Sequence, residues 1–418
     1  MTGVKILFVH QNFPGQYLHI ARELASQGGH QLVSLSIEQP EYQIEGVIQV
    51  RYGITRGNQK GLHPWLTDLE TKVIRGECCA RAAHRLKEKG LHPDIICGHP
   101  GWGEMLFLKE IWPKVPMLTY QEFYYRAFGF DFDFDDELQK EPTWEDTSRI
   151  RIKTANQLIN SEVTDWSVTP THFQKSTFPK HIQDRMSVVH DGIDIDVAKP
   201  REKDEKVSLE INDGVVLTEK DEIVSFVNRR LEPYRGCHTM IRAIPYIQER
   251  CPNAKIVLVG RQEGVSYGSP CPDGEWKDKF LAEIEGHYNA ENVIFTGQLK
   301  YADYISLMRI TKAHIYLTYP FVLSWSMLEA MGCGAAVIGS STGPVMEVIK
   351  DGHNGLLVDF FDSKELAKKV ATVIRDRPLA EELGKNARST VVDSYSLNKC
   401  VPRQLGLISL IASGAMTS

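Results

Sequence analysis

The feature that most constrains this chain is an alternation of strand and helix patterns that runs along it twice. The first run contains an apolar strand over 4–9, a glycine-containing loop, a helical pattern over 17–27 and a strand over 30–36. A second run starts with the strand pattern at 223–227 and continues to 336–339. Strands that alternate with helices form parallel sheets covered on both faces. The sequence therefore predicts an α/β protein with two Rossmann-like, doubly wound domains.

The polar stretch 199–221 interrupts this alternation and is predicted to be a linker. We predict one Rossmann-like domain at 1–200, a second at 201–395, and a helix at 396–418 that packs back on the first domain. Within the first domain, 158–160 is predicted to be a short strand. Ligands of paired doubly wound domains bind at the carboxyl ends of the strands, in the cleft between the domains.

Composition narrows the class of protein. The 48 Lys and Arg against 54 Asp and Glu give a net charge of −6, with no basic block, so no nucleic-acid partner is expected. Neither a signal peptide nor an apolar run of the roughly 18–20 residues that span a bilayer is recognised. The 8 cysteines include no CxxC pair, which is typical of reduced thiols and predicts a cytoplasmic protein. The apolar stretch 405–416 is predicted to be a docked terminal helix, with weak contact to a membrane surface as the alternative.

The segment 319–334, YPFVLSWSMLEAMGCG, carries the strongest chemical signal. It follows a strand and leads through Ser324 into an apolar helix that contains one carboxylate, Glu329. A helix start offers free N–H groups and a positive dipole end, which suit a phosphate. A buried carboxylate needs polar partners, which the hydroxyls of a sugar would supply. The segment therefore predicts a nucleotide-sugar site.

Several motifs occur in an order that resembles the retaining glycosyltransferases of family 4. They are GHQLV at 29–33, VHDGID at 189–194, RLEPYRG at 230–236, LEAMGCG at 328–334 and DGHNGLLVD at 351–359. The resemblance implies the two-Rossmann architecture called GT-B, with the acceptor on the N-terminal domain and the sugar donor on the C-terminal domain. It also implies transfer of a hexose-type sugar from a UDP-type or GDP-type donor to a hydroxyl acceptor, with no metal or other cofactor.

This chain departs from the family pattern at several positions, among them Ser324 or a neighbour in place of a glycine and Ser341-Thr342 in place of a Gly-Gly pair. Glu329 matches the second of two family glutamates, but Phe321 stands where the first would be. Arg235 stands where the family has a lysine on the donor phosphates. The chain therefore represents a divergent branch, and a catalytically silent nucleotide-sugar-binding protein is one alternative function. A nucleotide-sugar epimerase of the same fold is another.

The C-terminal half supplies most of the predicted donor-site residues. Cationic side chains after the strand at 223–227 would bind the diphosphate through bidentate hydrogen bonds, unless they are solvated surface arginines. Glu329 would accept hydrogen bonds from the two ribose hydroxyls, with a surface ion pair as the alternative. The predicted donor-binding residues are Gly15, Arg229, Arg230, Arg235, Gly297, Ser324, Trp325, Ser326 and Glu329.

The N-terminal half supplies the predicted residues near the transferred sugar and the acceptor. Gly15 would let the backbone approach the diphosphate, although an ordinary turn glycine is the alternative. His99 would touch the sugar or simply cap its loop. The predicted catalytic residues are His99, Arg230 and Arg235, and the predicted acceptor residues are Trp102, Glu104 and Glu122.

An acidic run at 131–137 contains the Asp-x-Asp pattern by which other glycosyltransferase folds hold a metal, but the two doubly wound domains argue against that interpretation. A calcium loop is excluded because its sixth and twelfth positions would be Asp136 and Pro142. We interpret the run as an exposed loop near the mouth of the cleft. No metal site is predicted, and the protein is expected to be a monomer or a homodimer.

Overall fold

The computed structural model describes residues 3–37, 43–139, 141–211 and 214–415. They form two compact units. One contains the residues up to Asp191 together with those from Leu397 onwards, and the other contains Gly192–Ser396. The chain thus passes into the second unit at 191/192, nine residues before the boundary expected at 200/201.

Within the described residues, the first unit contains a seven-stranded parallel sheet with the order β3-β2-β1-β4-β5-β6-β7. Its strands are β1 (Lys5–Val9), β2 (Gln31–Ser36), β3 (Val47–Arg51), β4 (Ile95–Gly98), β5 (Met117–Tyr120), β6 (Trp166–Thr169) and β7 (Met186–Val188). Its first helices are α1 (Leu18–Gln27), α2 (Thr67–Glu88), α3 (Leu108–Ile111), α4 (Trp144–Lys153), α5 (Ala155–Val163), α6 (His172–Thr177) and α7 (Lys180–Gln183). Alternate residues of β1 face opposite sides of the sheet. Both faces of the sheet are buried, as is typical of parallel sheets.

The two faces of β1 show how this burial is divided. Phe8 belongs to the apolar cluster that includes Leu24 of α1. Leu7, its neighbour in the chain, belongs to the cluster that includes Ile74 of α2. Since apolar side chains are needed on both faces, the sequence of β1 is continuously apolar rather than alternating.

The second unit contains a six-stranded parallel sheet with the order β12-β11-β10-β13-β14-β15, and a hairpin of β8 and β9. Its strands are β8 (Ser208–Ile211), β9 (Val215–Thr218), β10 (Ile223–Arg230), β11 (Lys255–Arg261), β12 (Val293–Gly297), β13 (Ala313–Tyr316), β14 (Ala336–Ser340) and β15 (Leu356–Val358). Its helices are α8 (Cys237–Arg250), α9 (Trp276–Glu283), α10 (Tyr301–Ile310), α11 (Trp325–Gly332), α12 (Gly343–Met346), α13 (Ser363–Arg375) and α14 (Arg377–Thr390). Both sheets have the reversal of strand order that defines a doubly wound fold.

The last helix, α15 (Leu397–Ala412), belongs to the first unit, where it packs against α1, β4 and β5. Ile408 and Ile411 join the same apolar cluster as Phe8. Gln404 donates to the carbonyl of His190 at 2.8 Å, which fixes the chain where the first sheet ends. Residues 416–418 of the predicted terminal segment lie outside the described residues.

Two predictions of local structure are wrong. The polar stretch 199–221 is not a plain linker, because its described residues include the antiparallel hairpin of β8 and β9, with Leu209 and Leu217 buried in the core. Residues 158–160 form part of α5 rather than a strand. In that helix Asn160 donates to the carbonyl of Asn156, one turn earlier, at 2.8 Å.

Two features are absent from the part of the chain that the structure describes. None of its helices is both long enough and apolar enough to cross a bilayer. Nor does this part hold three or more His, Cys, Asp or Glu side chains grouped so that they could bind a metal ion.

Candidate functional site

Each sheet has a switch point, where the strand order reverses. It lies between β1 and β4 in the first unit and between β10 and β13 in the second. Ligands of doubly wound sheets bind beyond the carboxyl ends of the strands at such points. His10 and His99 directly follow β1 and β4, and Arg235 follows β10. The structure therefore places candidate residues at both switch points.

Arg235 is buried against the segment that follows β13. Only 7% of the residue is exposed. Its Nη1 donates to Thr318 Oγ1 and to the carbonyl of Val322, each at 2.8 Å, and lies 3.4 Å from Tyr316 Oη. Because these hydrogen bonds leave from Nη1, the hydrogens on Nε and Nη2 have no acceptor among the described residues.

The other two predicted arginines lie differently. Arg229 is exposed near the end of β10. Arg230, the last residue of β10, is half-buried and donates from Nη1 to the carbonyl of Glu263 in a short hydrogen bond. Arg235 is thus tied to the segment that leads into α11, whereas Arg230 is tied to the segment that follows β11.

Ser324 caps the start of α11. Its Oγ accepts hydrogen bonds from the N–H of Ser326 at 3.4 Å and from the hydroxyl of Ser326 at 3.0 Å. Its own N–H donates to Tyr316 Oη at 2.7 Å. Trp325, the first residue of α11, is 44% exposed. Tyr316 therefore connects the Arg235 guanidinium to the beginning of this helix.

Glu329 lies in the second turn of α11 and faces α10. Its Oε1 accepts a hydrogen bond from Tyr301 Oη at 2.8 Å. Tyr304 Oη lies beside the same carboxylate, although it donates to the carbonyl of Ser326 at 3.2 Å. Burial raises the pKa of Glu329, and the two phenols oppose this shift. Since Tyr301 follows closely on Gly297, the last residue of β12, Glu329 faces the carboxyl edge of the sheet.

Phe321 occupies the position at which the resemblance predicts a glutamate, and it is buried in an aromatic cluster. Its ring centre lies 4.8 Å from that of Tyr267 and 5.5 Å from that of Tyr234. The guanidinium carbon of Arg235 lies 5.6 Å from the centre of the Phe321 ring and 5.3 Å from that of Tyr267. At this position the chain therefore offers an aromatic face to a cation instead of a carboxylate.

His10 fixes the loop between β1 and α1 in the first unit. The N–H of Asn12 donates to His10 Nδ1 at 3.2 Å, which leaves the ring hydrogen on Nε2, 2.7 Å from Gln16 Oε1. Burial lowers the pKa of His10 to about 4, so the ring is neutral at pH 7. His10 was not among the site residues predicted from the sequence, although its place between a buried strand and Gly15 could have indicated it as a candidate.

His99 lies in the loop that follows β4, on the other side of the switch point from His10. Its ring stacks on that of Trp102, with centres 4.1 Å apart, and its Nδ1 accepts the N–H of Gly101 at 3.1 Å. Nε2 therefore carries the hydrogen and lies 3.9 Å from Glu122 Oε2. Burial and the nearby His10 hold the pKa of His99 well below its usual value. Capping of the loop thus uses Nδ1, and Nε2 has no hydrogen-bond partner among the described residues.

Two acidic features of the first unit are more buried than their charge suggests. Glu104 is 0% exposed and burial raises its pKa, and its assignment to an acceptor stays a prediction. The run 131–137 is only in part the exposed loop that its charge predicts, because Asp136 and Glu137 are exposed but Asp131 and Asp135 are 1% and 0% exposed. Asp135 Oδ1 instead accepts the N–H of Glu137 at 3.1 Å and stabilises a turn.

Gly15→Ala is expected to destabilise the first unit by about 2 kcal/mol more than Gly90→Ala does. Both glycines have positive φ, at +46° and +91°. A Cβ on Gly15 would lie 2.3 Å from the His10 ring, whereas nothing lies within 4 Å of one on Gly90. Urea unfolding of the two variants measures the difference, and equal losses would contradict the packing of Gly15 against His10.

Two family models match the chain in succession. The Glycosyl transferase family 4 group matches residues 28–198, and Glycosyl transferases group 1 matches residues 209–390. The first match covers most of the first unit, and the second lies within the second unit. Both models describe glycosyltransferases and together they span most of the chain, which therefore belongs to the glycosyltransferases.

This glycosyltransferase has curated relatives that match part of its length. It is 24% identical to D-inositol 3-phosphate glycosyltransferase of Mycobacterium ulcerans over 198 residues, which are 47% of this chain and 39% of that protein. It is also 24% identical to an uncharacterized glycosyltransferase of Methanocaldococcus jannaschii over 215 residues, 51% of this chain and 50% of that protein. The chain spans about half the length of the curated relatives it matches.

Solved structures match this glycosyltransferase over nearly all of its length. Sucrose-phosphate synthase from Thermosynechococcus elongatus has a TM-score of 0.71 at 16% identity, covering 99% of this chain and 100% of that one. Anabaena HepE in complex with UDP has a TM-score of 0.66 at 17% identity, covering 97% and 99%. At these identities the likeness shows the fold alone, which is GT-B with two parallel-sheet α/β domains.

Proposed function

We propose that this protein is a retaining glycosyltransferase that moves a hexose-type sugar from a nucleotide diphosphate sugar to a hydroxyl-bearing acceptor. The observation that carries the proposal is the placement of Arg235 and Glu329 at the same carboxyl edge of the second sheet, in a chain of this family. The guanidinium would bind the diphosphate through its free Nε and Nη2 hydrogens. The carboxylate would accept hydrogen bonds from the ribose hydroxyls.

The proposed reaction exchanges one bond at the anomeric carbon for another. The acceptor oxygen bonds to that carbon from the face that the leaving group departs, while the bond from the carbon to the phosphate oxygen breaks. The hydroxyl proton passes to an oxygen of the departing diphosphate. Arg235 stabilises the negative charge that develops there, and Arg230 adds to this if its bond to Glu263 opens. His99 Nε2–H is available as a donor to the sugar.

A UDP-type donor is proposed first, with a GDP-type donor second. Support for UDP comes from Anabaena HepE, which shares the fold and whose crystal structures contain UDP and UDP-glucose. The proposal includes neither a metal nor another cofactor, because the cationic side chains are assigned the charge of the diphosphate. It also retains a cytoplasmic location and a monomeric or homodimeric state.

The test combines binding and turnover on the full chain. UDP, GDP and ADP, and the glucose ester of each, are titrated in a thermal-shift assay, because a ligand at a hundredfold excess over Kd stabilises the folded state by about 2.7 kcal/mol. Glu329→Gln is expected to lose this shift. Glu249→Gln, an exposed glutamate on α8, is the matched control and is expected to keep it.

Turnover separates the proposed activity from its alternatives. Release of the nucleoside diphosphate that depends on an added acceptor supports transfer. Interconversion of the sugar without an acceptor would indicate an epimerase instead. Tight binding with neither reaction would indicate a silent binding protein. Of the two alternatives, this is the one that the buried Phe321 supports. If no nucleotide shifts the melting temperature, the proposed donor site is wrong.

A further inference from the structure

Tyr301 is the one partner of Glu329 that also lies at the protein surface among the described residues. It is the first residue of α10 and is 53% exposed, yet its hydroxyl donates to Glu329 Oε1 at 2.8 Å. Tyr304, one turn later on the same helix, is only 8% exposed and donates to the carbonyl of Ser326. The two phenols therefore differ in kind, because Tyr304 packs in the core and supports the backbone of α11, whereas Tyr301 reaches the carboxylate from outside.

The charges around Glu329 leave the carboxylate dependent on these phenols. Among the described residues, the hydrogen-bond donor to Glu329 is Tyr301 of α10, and the Tyr304 hydroxyl lies beside the carboxylate while it donates to Ser326. Nearby ionisable groups are Cys333 directly after α11, Arg309 further along α10, Asp194, which interacts electrostatically with Tyr301, and Arg388 on α14, which interacts electrostatically with Cys333. Burial alone would favour the protonated carboxyl. The donor at Oε1 thus opposes the rise in the Glu329 pKa that burial causes.

We propose that Tyr301 is a positioning residue for the nucleotide: its hydroxyl holds Oε1 of Glu329 so that the other carboxylate oxygen faces the ribose. This inference rests on the proposed function, because it assigns Glu329 to the ribose. The exposed ring of Tyr301 contributes little to the core, so its hydroxyl is the part of the side chain that the site uses.

Tyr301→Phe tests the inference because it deletes one oxygen and keeps the ring. UDP is the probe, with GDP and ADP titrated in parallel, over the pH range 5.5 to 8. The variant is expected to bind about tenfold more weakly at pH 7 and to keep the melting temperature of the unliganded protein. Its affinity should also begin to fall at a higher pH than that of the wild type, because the pKa of Glu329 rises when the phenol no longer donates to it.

Two comparisons separate positioning from a general structural effect. In a Glu329→Gln background, where the residual affinity is measured by titration to high UDP concentration, Tyr301→Phe should cause no further tenfold loss of affinity and no shift of its pH dependence. The preference for UDP over 2′-deoxy-UDP should shrink in Tyr301→Phe, because the oxygen that faces the ribose is no longer fixed. Tyr246→Phe on α8 is the matched control and should bind as the wild type does.

The outcomes also separate this inference from the proposed function. If the wild type binds UDP and Glu329→Gln does not, but Tyr301→Phe keeps the wild-type affinity and pH profile, the positioning role is wrong and the donor site stands. If Tyr301→Phe lowers the affinity by the same factor at every pH, and equally for UDP and 2′-deoxy-UDP, Tyr301 has a packing role and the inference is overturned. If the wild type binds none of the three nucleotides, the donor site itself is wrong.

Discussion

Replacing Arg235 with alanine is expected to lower the free energy of unfolding by about 3 kcal/mol and to weaken nucleotide binding at least tenfold. The stability loss follows from burial, because the guanidinium is the donor to Thr318 Oγ1 and to the carbonyl of Val322. Both acceptors would lose a charged partner in a region that water reaches poorly. Urea unfolding measures the first effect, and calorimetric titration with UDP measures the second.

Two further variants separate structural from ligand-binding roles of the arginines. Arg229→Ala is the matched control for stability, because this exposed arginine near the end of β10 is expected to change the free energy of unfolding by less than about 0.5 kcal/mol. Arg235→Lys keeps the charge but lacks the planar guanidinium with its several N–H donors. Its losses of unfolding free energy and of nucleotide affinity are therefore expected to be smaller than those of Arg235→Ala. An Arg235→Ala protein as stable as the wild type would contradict the anchoring of the segment after β13.

Strand-forming segments could be predicted from sequence because the fold buries both faces of each sheet. The continuous apolar runs at 4–9 and 223–227 correspond to β1 and β10, the central strands next to the switch points. The prediction relied on apolar runs, and therefore elements with few apolar residues were missed or assigned wrongly. The hairpin of β8 and β9 is half exposed, so its polar residues resemble a linker, and α5 buries Asn156 and Asn160 rather than apolar side chains.

Residue types of the candidate site were identified because they follow strands in the chain, but their partners were not. Arg235 and Tyr316 are 81 residues apart in sequence, and Tyr301 and Glu329 are 28 apart. Side chains that meet only after the sheet has formed leave no local pattern. Charge alone was also a poor guide to exposure, since Asp131, Asp135 and Glu104 are buried. These contacts depend on tertiary packing, which a single sequence does not specify locally.

Lowering the pH from 7 to 5 is expected to destabilise the protein by several kcal/mol. Burial lowers the pKa of His10 and His190 to about 4 and that of His314 to about 3. Unfolded histidines titrate near 6.5, so below that pH the unfolded chain binds protons that the folded protein does not. Stability is therefore complete above about pH 6.5 and falls by about 2 kcal/mol for each such histidine by pH 5. Raised carboxyl pKa values, as at Glu104, oppose this loss in part.

His314→Gln identifies one of these protons. His314 is fully buried in β13 and its Nδ1 lies 2.9 Å from Ser225 Oγ, so the variant should be less stable at pH 7. Its free energy of unfolding should nevertheless vary less steeply between pH 5 and 7, because one proton fewer is bound on unfolding. His181→Gln, at an exposed position on α7, is the control, since solvent surrounds that side chain in both states. Urea unfolding at several pH values measures the slopes, and a slope that stays the same in His314→Gln would show that the buried ring is not what makes the fold acid-sensitive.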